Sequence, residues 1–302
     1  MSNPSPRARW IGWALGIFPL GLFLGGGIGL WLNFQNAKKR EAIEHQRYAQ
    51  EVSEPLMADD VKKIIEVIGE RNVSSEASRQ NLTRTASMIE GLLGPSNTGY
   101  NVTKHLGPSQ WPLLSVSVTG KNPAAAPVWV VTSYDSRAGS PGAEANATGL
   151  AATLAAAQSL AREKTNGSLH FVFLPHANDP ESPVIDTAAA LKKLIDAGPK
   201  PAAILCVEAM GAGDSLWLSS RDTTAMPLDR FSGLGTAYGA EVVCLGDDVD
   251  LASTLFEMNL PAVRVATRAL VSPEEIDQNL PDLKKLTSST GRLIELIRRC
   301  LK

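Results

Sequence analysis

The chain is poor in the residues from which metal and redox centres are built. Of its 302 residues, four are histidine and three are cysteine. Cys206, Cys244 and Cys300 are far apart and odd in number, so they make neither a metal-binding pair of the C-x-x-C kind nor a disulfide framework, and free buried thiols are expected. Excess charge of either sign is also lacking. Twenty-nine Lys and Arg against 31 Asp and Glu leave a net charge of −2. That gives no positive field to hold a phosphate backbone and excludes nucleic acid as a partner. There is no internal repeat and no low-complexity tract, which excludes solenoid architecture and long disordered arms.

What is present is a core. Hydrophobic residues make up 44% and charged residues 20%, the balance of a globular chain. The stretch "WIGWALGIFPLGLFLGGGIGLWLNF", residues 10–34, carries no charge, and a bilayer-spanning helix needs roughly 20 apolar residues. Trp10, Trp13 and Trp31 stand near its ends as interfacial anchors do, and no small-x-small cleavage site follows it. We therefore expect a tail over 1–9, a retained transmembrane anchor in the lipid bilayer over 10–34, a charged helical stalk over 35–56 and a globular domain over 57–302. Arg7 and Arg9 precede the span, whereas Lys38, Lys39, Arg40 and Arg47 follow it. This asymmetry pulls the domain towards the cytoplasm.

Beyond the stalk, helical and strand patterns alternate. "ADDVKKIIEVIGE" (58–70) spaces Val61, Ile64, Ile65 and Ile68 as a helix does. "SSEASRQNLTRTASMIEGLLG" (74–94) has Ser74 or Ser75 as its cap and Gly94-Pro95 as its stop. Strands are expected in "YNVTKHL", "LLSVSVTG", "APVWVVTSYD", "SLHFVFLP", "PAAILCVEAMG", "EVVCLGD" and "PAVRVAT". Helices are expected in "NATGLAATLAAAQSLARE", where Gly149 permits close packing, in "SPVIDTAAALKKLIDAG", in "DVDLASTLFEMNL" and in the amphipathic "LPDLKKLTSSTGRLIELIRRCLK". Such alternation means an α/β sheet with helices on both faces, with ligands bound beyond the carboxyl ends of the strands.

Five of these stretches, in order, resemble the metal-binding segments of the di-zinc aminopeptidases of metallopeptidase family 28: "WVVTSYDS", "SPGAEANATGLAATLAAAQSL", "LHFVFLPHAN", "ILCVEAMG" and "ASTLFEMNLPAVRV". The resemblance covers residue 58 to the C-terminus. It implies a three-layer α/β/α fold with a mixed, mostly parallel central sheet. It also implies a pair of zinc ions, whose chemistry needs His and carboxylate ligands, a bridging carboxylate and a carboxylate base. Carried over position by position, the first zinc-binding His falls on Ser133, and the Asp that orients it is kept as Asp135. The bridging Asp falls on Ala145, beside Glu144. The base falls on Ala177 and the next zinc-binding Glu on Asn178, just after His176. The following Asp falls on Glu208 and the last His on Ala252. Only Glu208 keeps a zinc-binding side chain in register, and alanine can neither bridge metals nor take a proton.

The expectation is thus an aminopeptidase-like domain without a bound zinc or other cofactor, a pseudopeptidase that binds a peptide or serves as scaffold in a membrane complex. Exported relatives imply a domain outside the cytoplasm, against the pull of the flanking charges. Two enzymatic alternatives stand beside this. His176 with Asp135, Glu144 or Glu208 would hold a rebuilt zinc site for peptide or amide hydrolysis, with Asp179 and Glu181 completing an ionisable cleft. Alternatively, Ser133 or Ser136 would act as nucleophile with His176 as base, although no G-x-S-x-G elbow is present. Asp247, Asp248 or Asp250 would supply a carboxylate if the last segment is out of register.

Overall fold

The computed structural model describes residues 26, 29, 31–35, 52–179, 183–220, 241–244, 250–272 and 275–301, with backbone alone at 220 and 241–244. Two compact units divide the chain, Met1–Gln50 and Glu51–Lys302. In the first, the described residues are helical, with Trp31, Leu32 and Phe34 exposed. Among the described residues no helix is long and apolar enough to cross a membrane. The expected span over 10–34 lies mostly outside them, and the tail over 1–9 wholly.

The second unit begins with α1 (Glu54–Lys62), which continues without a break as a π-helical turn, Lys63–Ile68. The helix expected over 58–70 therefore starts four residues earlier. Pro55 lies at its start, where the missing N–H costs nothing. α2 (Glu76–Leu93) is capped by Ser75, whose side chain accepts from the Ser78 N–H while Ser78 bonds back to the Ser75 N–H. The chain then runs β1 (Thr103–Leu106), β2 (Pro112–Val118), β3 (Val128–Ser133), a π-helical turn (Ala143–Ala147) leading into α3 (Thr148–Leu160), β4 (Leu169–Leu174), α4 (Val184–Asp196), β5 (Ala203–Val207), β6 (Trp217–Ser220), β7 (Glu241–Cys244), α5 (Leu251–Glu257), β8 (Ala262–Ala266) and α6 (Leu283–Cys300).

The eight strands form one sheet in the order β1-β2-β4-β3-β5-β8-β6-β7. Pairings β3–β4, β3–β5, β5–β8 and β6–β7 are parallel; β1–β2, β2–β4 and β6–β8 are antiparallel. The expected mixed, mostly parallel sheet is observed. β6 escaped the sequence reading because its four residues lie in an irregular stretch with no alternation long enough to count.

Side chains alternate across the sheet as the strand period of two requires. Val128, Val130, Phe171, Phe173, Leu205, Val207, Val263 and Val265 point to one face and pack with α1, α2, α3 and α6. Trp129, Val131, Val172, Leu174, Ile204 and Cys206 point to the other and pack with α4 and α5. Near-continuous apolar strands are what burial on both faces demands. The strand order reverses direction at β3, with β4 on one side and β5 on the other. This is the switch point at which an open α/β sheet leaves a crevice beyond its carboxyl ends.

Candidate functional site

That crevice gathers the residues following β3, β4 and β5. On the second face, the alternation that buries Trp129 and Val131 places Ser133 at the sheet edge, and the alternation that buries Ile204 and Cys206 places Glu208 there. Asp135 is fully buried. Its Oδ2 accepts three backbone N–H groups, from Ala177 at 2.9 Å, Asn178 at 2.8 Å and Asp179 at 3.0 Å, while Oδ1 accepts from the Asn178 side chain at 3.2 Å. The carboxylate thus clamps the turn after β4 to the end of β3. Burial raises its pKa above the ordinary value, against the pull of these donors.

Asn178 also donates to Ser133 Oγ at 2.9 Å, and Asn146 approaches the same oxygen at 3.5 Å. Two of the positions that the resemblance assigns to zinc ligands therefore bond each other through neutral groups. His176 is fully buried, with both ring nitrogens lacking a hydrogen-bond partner. Its Nδ1 lies 4.0 Å from Asp179 Oδ2, beyond hydrogen-bonding reach, and its ring meets Trp111 edge-on at 6.3 Å between centroids. Burial lowers its pKa, against the pull of Asp135 and Asp179. Asp179 itself accepts the Val73 N–H at 2.9 Å.

At the third strand end, Glu208 Oε2 meets Arg264 Nε at 3.0 Å. Burial pushes the Glu208 carboxyl up, Arg264 pulls it down, and Asp250 pushes it up again. The next residue, Ala209, has φ +39, left-handed backbone that a side chain disfavours. Its carbonyl is held by the Thr267 N–H at 2.9 Å and the Thr267 hydroxyl at 2.7 Å. Above this end sits the start of α3. Asp277 accepts the N–H groups of Glu144 at 2.6 Å and Ala145 at 3.1 Å, and the Glu144 carboxylate accepts the Gly211 N–H at 2.9 Å. Burial first, then Asp277, pushes the Glu144 pKa up to about 7.

The structure thus brings together Ser133, Asp135, Asn178 and Asp179 through direct bonds, with His176 at their edge. Glu144 and Ala145 belong with Asp277 at the helix start. Glu208 belongs with Arg264. Ala252 lies buried within α5, and Asp250 spends its carboxylate capping that helix through the Ser253 N–H at 2.6 Å. Glu181, Asp247 and Asp248 lie outside the described residues. The nucleophile–base reading finds no geometry. Ser133 bonds the two asparagines, Ser136 Oγ accepts the Arg71 N–H at 2.9 Å and donates to the Ser140 carbonyl at 2.7 Å, and neither His176 nitrogen has a hydrogen-bond partner.

Sequence reasoning missed Arg71, Arg264, Asn146 and Asp277. Arg71 is completely buried and holds the carbonyls of Tyr134 at 3.0 Å and Gly69 at 2.6 Å; burial lowers its pKa to about 10. Arg264 had a signal: it is the one charge in the apolar strand "PAVRVAT", and a charge in a buried strand calls for a partner.

No family model matches the sequence, and no curated protein matches it. The match is in three dimensions. Over 85% of this chain the structure superposes on 73% of the LapA aminopeptidase of Legionella pneumophila, with a TM-score of 0.66 at 12% identity. Glutaminyl cyclase of Porphyromonas gingivalis matches 83% of this chain over 99% of its own, with a TM-score of 0.60 at 13% identity. A Zn-dependent exopeptidase of Parabacteroides distasonis does so over the same shares, at 0.58 and 13%.

The chain carries an aminopeptidase fold. The resemblance to family 28 read from the sequence holds at the level of architecture. The described residues at the positions that the resemblance assigns to zinc ligands do not fit a zinc pair. Among the described residues no group of three or more His, Cys, Asp or Glu is placed to hold a metal ion. Within the aminopeptidase fold, Asp135 is saturated by amide donors, Glu208 is neutralised by a guanidinium, and Ser133 and Asn178 satisfy each other. Zinc sites need three or four N, S or carboxylate ligands converging on one point.

Proposed function

We propose that this is a non-catalytic aminopeptidase-fold protein, tethered to a membrane through residues 10–34 and acting outside the cytoplasm as a binding or scaffold domain for a peptide or a membrane-complex partner. The observation that carries the reading is the set of bonds made by the residues at the ligand positions. Ser133 and Asn178 bond one another at 2.9 Å, and the carboxylate of Glu208 is paired with Arg264. Alanine stands where the resemblance puts the bridging ligand and the base, at Ala145 and Ala177. Without a metal or a base, a water molecule is not activated at neutral pH.

The test uses the full-length chain in mild detergent, loaded with zinc and dialysed. Metal is measured by elemental analysis and hydrolysis with aminoacyl-anilide substrates. Substoichiometric zinc and no hydrolysis above blank are expected. Stoichiometric zinc with turnover would sink the reading and direct attention to His176, Asp135, Glu144 and Glu208. For the anchor, alkaline extraction of membranes should leave the full chain in the pellet and release a variant lacking residues 10–34.

A further inference from the structure

At the carboxyl end of β5 stands a largely buried carboxylate, that of Glu208. A carboxylate so little exposed to water needs a cation beside it. The cation beside Glu208 is Arg264. Its side chain is 1% exposed and that of Glu208 is 16% exposed. β8 pairs with β5 so that Arg264 stands opposite Cys206. The alternation of the strand therefore sends its side chain to the second face of the sheet, the face of Ile204, Cys206 and α5. From there it reaches forward to the strand ends. Nε meets Glu208 Oε2 at 3.0 Å, and one terminal nitrogen donates to the Arg268 carbonyl at 2.9 Å and approaches Ser219 Oγ at 3.5 Å.

We propose that the guanidinium of Arg264 supplies in cis the positive charge that the aminopeptidase fold otherwise takes from a metal ion at this strand end, so that the folded state of this chain is independent of metal. The proposal rests on the non-catalytic reading above and adds the element that makes it stable. A guanidinium suits the task because it stays ionised at any physiological pH, and its planar donors bind carboxylate and carbonyl oxygens at fixed angles. It also stands on β8, paired directly with β5, so its position is set by the sheet rather than by a loop. Four hydrogen bonds keep the neighbouring backbone in register. The Arg268 carbonyl is tied to Arg264, the Thr267 N–H and hydroxyl hold Ala209, and the Glu208 N–H bonds the Val265 carbonyl at 3.0 Å. A bound metal at Glu208 would have to displace an ion pair that already satisfies the carboxylate.

The test is a stability cycle on the full-length chain in detergent, comparing wild type, Arg264→Met, Glu208→Gln and the double variant by thermal unfolding, each with EDTA and with added zinc. Wild type is expected to melt at the same temperature in both. Arg264→Met keeps the apolar stem and removes the charge, so the melting temperature should fall by roughly 10 °C, the loss associated with leaving a buried carboxylate unpaired in a domain of this size. The double variant should recover most of that loss. If Arg264→Met does not accumulate folded protein, the double variant decides. A folded double variant supports the proposal and an unfolded one overturns it. A double variant no more stable than Arg264→Met would mean that the arginine acts by packing. That outcome sinks this proposal and leaves the non-catalytic reading standing. A wild-type melting temperature that falls in EDTA would overturn both.

Discussion

Asn178 donates through its side-chain amide to the hydroxyl of Ser133 at 2.9 Å, closing a neutral contact between the ends of β3 and β4. β3 and β4 are neighbours in the sheet, and this bond adds to the clamp that Asp135 places on the turn after β4. The same amide reaches Asp135 at 3.2 Å. Asn178→Ala should therefore lower stability by about 1–2 kcal/mol, the usual cost of two side-chain hydrogen bonds, and leave zinc content unchanged. Urea denaturation and elemental analysis on the same preparation check both halves. An Asn178→Ala protein that loses bound metal would mean that this contact is part of a ligand set.

Asp135 carries a heavier load. Replacing it by alanine strands three backbone donors in the interior, at about 1–3 kcal/mol for each group left without a partner. We expect Asp135→Ala to lose about 4 kcal/mol or more, or to fail to fold. Asp135→Asn, which keeps one acceptor oxygen, should lose about half as much. Equilibrium unfolding of the two side by side makes the comparison.

His176 gives the opposite forecast. A buried imidazole with neither nitrogen bonded already bears the cost of desolvation, so an apolar ring of similar size removes a liability. His176→Phe should hold or raise stability, within about 1 kcal/mol of wild type, whereas His176→Ala should lose about 2–4 kcal/mol to the cavity. A large loss in His176→Phe would point to a hydrogen-bonded or metal-bound role for this ring.

Glu144 sets a pH dependence. Its folded pKa, about 7, lies above the ordinary carboxylate value near 4.3. The folded state therefore binds the proton more tightly than the unfolded state. The contribution of Glu144 to stability is largest below about pH 4, is lost as pH rises to about 7, and is level above that. Glu144→Gln retains an acceptor for the Gly211 N–H and abolishes the slope. The variant should match wild type at pH 5 to within about 1 kcal/mol and exceed it at pH 8 by about 2 kcal/mol. Denaturation at the two pH values measures the difference, and equal curves at pH 8 would refute it.

Gly149 is where α3 touches the sheet. A Cβ there would come within 2.9 Å of the Glu208 Cα and of the Val207 carbonyl oxygen, both parts of rigid backbone. Gly149→Ala should cost about 1–3 kcal/mol through displacement of the helix, in spite of alanine's better helix propensity. A circular dichroism melt would reveal it.

The sequence by itself determined the architecture. Continuous apolar strands such as "VWVVTS" and "LHFVFL" can persist only between two layers of helix, so the three-layer sandwich and its crevice followed from pattern. The glycine at 149, the serine cap of α2 and the absence of a ligand set at Ser133, Ala145, Ala177 and Asn178 were equally legible, because each is a property of one residue type at one place. The helix expected over 58–70 begins instead at Glu54, because Pro55 stands in its first turn, where a missing N–H costs nothing. What only the tertiary structure decided is how the remaining polar groups are satisfied. Asp135 is consumed by amides from a turn more than 40 residues away, Glu208 by an arginine 56 residues away, and the start of α3 by Asp277, more than 130 residues away. Hydrogen bonds and ion pairs of this kind depend on atoms brought within about 3 Å by the fold, and no local pattern encodes such a distance.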